Sequence, residues 1–189
     1  MRWKVSRLHA NIIRATTEIG WSMCSSTAPG ISHFFTIWRW WLRCSRCLSR
    51  RIGHRPIKRW GPQRCRYAYA WKSLLQAGLR VQFGSDAPVE TINPIYGIHA
   101  AVTRQTVLGK PPGGWFPDQK LGLEDSIAGF TAVAAWSARR EDKLGSIAAG
   151  KWADLTIYNQ DLFSLSPDHW PDVETEMTVV HGEIVYNKP

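Results

Sequence analysis

At 189 residues and 44% apolar composition, the chain has the make-up of one or two folded domains and not of a disordered protein. Its net charge of +9 averages two unlike parts: residues 1–66 hold 14 Lys/Arg against one acidic residue (+13), and residues 67–189 hold 10 against 14 (−4). No run of about eighteen apolar residues occurs, and the basic start is followed by no apolar stretch, which argues against a membrane span or a secretory leader.

The N-terminal part holds all four cysteines and six of the eleven tryptophans, and neither a helical nor a strand period persists in it. Cysteines without a leader read as reduced thiols in a cytoplasmic protein. Three readings compete for this stretch. Arginines on phosphates with tryptophans on bases would make a nucleic-acid-binding arm over residues 1–66, though no known module motif appears. Cys44-Ser45-Arg46-Cys47 is half of a zinc site, and a structural zinc needs four ligands. The third reading is text translated out of frame, which gives Arg-, Cys- and Trp-rich sequence with few carboxylates. The composition weighs for the third, and residues 1–57 are left unassigned.

Order begins further on. Tyr67–Ala77 has helical spacing, with Trp71, Leu74 and Leu75 on one face and Gly78 placed to end the helix. Leu79, Val81 and Phe83 then alternate with Arg80 and Gln82, the two-residue period of a strand. Gly84 permits a sharp turn and Pro88 prevents continuation, so Asp86 falls just past a strand tip. Helix, glycine, strand and carboxylate make the last half of a βα repeat, and barrels of such repeats carry their chemistry at the C-terminal ends of strands.

Ile92–Gln105 starts as a loop at Asn93-Pro94 and becomes a helix with Ile95, Ile98, Val102 and Gln105 on one face. Three prolines and three glycines between Gly109 and Pro117 forbid regular structure there. The loop with Trp115 is either a substrate loop or a surface loop anchored by that ring. Leu123–Ala138 is the clearest helix, capped by Gly122 and with Glu124 and Asp125 in its first turn. Beyond a turn at Ala149-Gly150-Lys151, short antiparallel strands are expected from Leu155, over Met177–Val180, and over Ile184–Tyr186 after the turn at His181-Gly182-Glu183. They suggest a small β domain beside the βα part. His54, His99, His169 and His181 read as surface or satisfied histidines.

Gly145-Ser146-Ile147-x-x-Gly150-Lys151-x-Ala153-Asp154-Leu155 resembles the hallmark of the amidohydrolase superfamily. Phe83-Gly84-Ser85-Asp86-x-Pro88-Val89, Thr103-Arg104-Gln105 and Pro111-Pro112-Gly113-Gly114-Trp115, in that order, narrow the likeness to the amidohydrolase family 3 branch, whose members are similar to N-substituted formamide deformylases. The resemblance runs from about Trp60 to the C-terminus. It implies an α/β fold: the C-terminal part of a metal-dependent (β/α)8 TIM barrel over residues 58–140, then strands of a small accessory β-sandwich over residues 141–189.

By the same resemblance the reaction is hydrolysis of a carbon–nitrogen bond in a small non-peptide amide or formamide, with a divalent metal, usually zinc. Asp86 takes the place of the metal-binding aspartate that accepts a proton from water, a role suited to a carboxylate beside metal-bound water. Arg7-Leu8-His9-Ala10-Asn11 echoes a Glu-His-Ala segment in which the histidine is a ligand, which makes His9 a second candidate. Ser85, Gly113, Gly114 and Trp115 would shape the substrate pocket. The family's His-x-His pair does not occur in this sequence, so the chain is expected to be catalytically incomplete. An unpaired strand edge would favour self-association. Nucleic-acid binding through residues 1–66 is the alternative from another class.

Overall fold

The computed structural model describes Cys65, Tyr69–Ser85, Ala87 and residues 91–189. His9, Asp86, the Cys44/Cys47 pair and nearly all of the basic part therefore lie outside the described residues, as do the readings made on them.

Helix α1 spans Trp71–Gln76. It begins later than its spacing predicts because Tyr69 stands in the left-handed region at φ 54°. It ends in a Schellman turn: Gly78 N–H donates to Leu75 O (2.8 Å) and Leu79 N–H to Leu74 O (3.1 Å), with Gly78 at φ 79°. Helix α2 spans Pro94–Thr103, with proline at its first position and the Asn93 side chain accepting from Ile95 N–H at 3.0 Å. Arg104 closes it at φ 60°, so Gln105 lies past the helix and not on its face.

The predicted helix over Leu123–Ala138 is two helices, α3 (Leu123–Phe130) and α4 (Ala132–Ser137), separated at Thr131. The Thr131 hydroxyl donates to Ile127 O at 2.8 Å, a back-bond that bends helices, and Thr131 itself leaves helical geometry.

Two cores share α2. Ala100 and Ala101 pack with Trp71, Leu74, Val81 and Phe83, whereas Ile95 and Ile98 pack with Leu162, Trp170 and Val173. Phe130 touches both cores from α3. The C-terminal strands form as expected: β1 (Leu155–Tyr158), β2 (Thr175–Val180) and β3 (Glu183–Asn187) make one antiparallel sheet in the order β1-β2-β3. Among the described residues this is one layer and not a sandwich, and Ile184 and Val185 on β3 are each 60% exposed.

Candidate functional site

The stretch before Asp86 is clamped from several sides. Gly78 turns the chain out of α1, and Val81, Gln82 and Phe83 are all buried. Alternation had placed Gln82 on a polar face. Its amide oxygen instead accepts a hydrogen bond from Ser137 of α4 in the interior, so both faces of the stretch are covered, as in strands roofed by helices.

Phe83 N–H donates to Gly129 O of α3 at 3.0 Å. No ladder among the described residues includes residues 79–85, so the expected strand pairs with none of them. The Phe83 ring sits 5.3 Å from Trp71 and 5.6 Å from Phe130 in edge and tilted arrangements. Ser85, half-buried, follows this clamp directly.

The Trp115 loop is built inward. Trp115 is 5% exposed, its N–H donates to Arg104 O at 2.8 Å, and its ring packs on Tyr69, Phe116 and the buried Cys65. Gly114 is required twice over: it stands at φ 96°, and a methyl group there would lie 2.5 Å from Thr103 O. Gly113 also has positive φ, at 77°, but faces open space. The indole is turned into protein and anchors the loop.

Between the clamp and the loop lies Arg104, which is fully buried. Its Nε donates to Trp115 O (3.0 Å) and its Nη1 to Tyr69 O (3.2 Å), while the guanidinium lies 4.5 Å over Trp71 and 5.2 Å over Trp115. Within the motif Thr103-Arg104-Gln105 the sequence assigns Arg104 no role of its own. Helical spacing gave no sign that this cation closes its helix inside the core.

Burial pushes the Cys65 thiol up from its ordinary value, away from nucleophilic use. His99, read as surface or satisfied, is neither: it is 3% exposed and its Nδ1 has no hydrogen-bond partner. His181 stands in the hairpin turn at φ 52° with its ring 4.2 Å from Trp152. His169 is exposed.

Among the described residues, no three of His, Cys, Asp and Glu gather where they could hold one metal ion. The described donors therefore do not fit the divalent metal that the resemblance implies. Among these residues no helix is long and apolar enough to cross a membrane.

The motif from Gly145 to Leu155 works as a joint. A methyl group at Gly145 would lie 2.6 Å from Ala135 Cβ and 3.0 Å from Thr131 O, so only glycine lets this turn press onto the break between α3 and α4. Lys151 Nζ donates to Ser146 Oγ (2.7 Å) and Leu144 O (3.3 Å). Asp154 Oδ1 accepts from His181 N–H at 2.7 Å, tying the start of β1 to the β2–β3 turn.

A family model described as the amidohydrolase family matches residues 46–186, which takes in both the Phe83–Ser85 clamp and this joint. The YtcJ protein of Bacillus subtilis (strain 168) is 34% identical over 132 residues, covering 70% of this chain and 25% of that protein. LONG AFTER FAR-RED 3 of Arabidopsis thaliana is 31% identical over 136 residues (68% and 22%), and the N-substituted formamide deformylase of Arthrobacter pascens is 30% identical over 117 residues (62% and 21%). The chain thus spans about a quarter of the length of the curated relatives it matches. Among solved structures, an amidohydrolase from Thermotoga maritima MSB8 aligns at TM-score 0.48 and 20% identity, over 64% of this chain and 26% of that one. Nothing in these comparisons supports nucleic-acid binding.

Proposed function

Since this chain belongs to the amidohydrolase family, we propose that it is the C-terminal part of a hydrolase that cleaves carbon–nitrogen bonds in small non-peptide amides, N-substituted formamides among them. The carrying observation is the family match over residues 46–186, a range that takes in both the Phe83–Ser85 clamp and the joint. In this reading residues 58–140 supply the last βα units of a TIM barrel and residues 141–189 the strands of its accessory β domain. The chain works in the cytoplasm.

Asp86 is the group that would ligate a divalent metal, zinc by the family's habit, and accept a proton. The Schellman turn, the Gly129 contact and the Gln82–Ser137 pair fix the backbone leading into it. Ser85 and the Gly113–Trp115 loop stand as the pocket residues. Trp115 acts by holding the loop's base, because its own ring is buried. His9 remains the second candidate ligand. These groups do not supply the three protein donors that a catalytic zinc needs, so the chain alone is inert.

The test has two arms. The purified chain with added zinc and an N-substituted formamide should give no hydrolysis beyond the zinc blank, and turnover would contradict the inert reading. Residues 67–189 exchanged for the matching part of the Arthrobacter pascens deformylase should restore metal-dependent formamide hydrolysis. A folded, metal-loaded exchange protein without activity would contradict the hydrolase reading.

A further inference from the structure

We propose that His99 is a pH-sensitive latch between α2 and the segment 159–173, closed when its imidazole is neutral and opened when it is charged. This inference is independent of the catalytic reading.

The 3-10 turn Pro167–Asp172 packs on α2, and its Trp170, with Val173, is buried against Ile95 and Ile98. His99 lies on the same helix, 3% exposed, and its buried Nδ1 meets no acceptor. A neutral imidazole with Nδ1 unprotonated places an acceptor there, which is tolerable. A protonated one buries an N–H and a positive charge with nothing to receive them, and that is far more costly.

Among the described residues nothing supplies the missing countercharge. From the turn, Asp168, His169 and Asp172 are exposed; from α3, which also packs on α2, Glu124 and Asp125 are exposed; α2 carries no other charged residue. Of these groups only Asp168 acts on His99, and burial outweighs it, holding the imidazole below its ordinary value of 6.5. Folding therefore favours the uncharged ring. That contribution is complete above the ordinary histidine range, fades as pH falls through it, and is gone below the folded-state midpoint. Opening the latch hydrates the ring and exposes the small core around Trp170.

Amide hydrogen exchange on the full chain, corrected for intrinsic rates, reads this directly. Protection over residues 159–173 should fall by about tenfold per pH unit on acidification below the ordinary range until the folded midpoint is reached. Peptides from α1 should keep their protection. His99→Gln, which cannot charge, should abolish the step. A step of equal size in His99→Gln, or none in the native chain, would overturn the latch. Should the variant not fold, NMR titration of the native His99 ring decides the matter: a midpoint below 6.5 supports the latch, and one at or above it overturns it.

Discussion

A single methyl group is enough to probe the clamp on the strand tip. At Gly129 it would lie 2.4 Å from Cδ2 of Phe83 and 3.2 Å from Val81 O, inside van der Waals contact on both. Gly129→Ala should therefore push α3 off the stretch before Asp86. Overpacking of this kind costs about 1–3 kcal/mol, or roughly 2–4 °C of Tm per kcal/mol in a protein of this size. An unchanged melting temperature would show that α3 does not press on Phe83.

Nothing in the sequence marked Gly129 as a contact point, because a glycine inside a helical period signals only weakened propensity. The burial of Gln82 and Arg104 is hidden in the sequence for a related reason. Periodicity sorts residues by polarity, whereas these two are buried while hydrogen-bonded, Gln82 to Ser137 and Arg104 to backbone carbonyls.

Among the elements, those with local punctuation were legible. Gly78 ends α1, Asn93-Pro94 starts α2, and the three C-terminal strands fall where alternation and turn residues place them. The break at Thr131 was not legible, since threonine continues a helical pattern in sequence and interrupts it here through its hydroxyl. The stretch 79–85 alternates like a strand but meets no ladder partner among the described residues. Pairing is a property of two segments, and one segment's alternation cannot report it.

The Gly145–Leu155 motif, the strongest family mark in the chain, does architecture: it seats a turn on α4 and ties β1 to the next hairpin. Asp154→Ala removes the acceptor for His181 N–H. It should cost about 0.5–1.5 kcal/mol and speed amide exchange at His181 while leaving α1 unaffected. Unchanged exchange at His181 would mean that the hairpin turn holds itself.

At the scale of the whole molecule, α2 is the shared wall of two small cores, one around Trp71 and Phe83 and one around Trp170. The candidate site divides between a scaffold that the structure describes and ligands it does not. Ser85, Trp115, Gly113 and Gly114 are placed, whereas Asp86 and His9 lie outside the described residues. Family membership was legible because its motifs are backbone devices with fixed glycines. A metal-ligand set is not legible in this way, because donors of that kind are brought together only by tertiary structure.

The central claim is that the carboxylate at position 86 carries the chemistry of a carbon–nitrogen hydrolase. The direct measurement is kcat for formamide hydrolysis by the exchange protein carrying residues 67–189, with and without Asp86→Asn. The expected result is a loss of about 10²–10⁴-fold with the fold and melting temperature retained. Equal rates in the two proteins would contradict the claim.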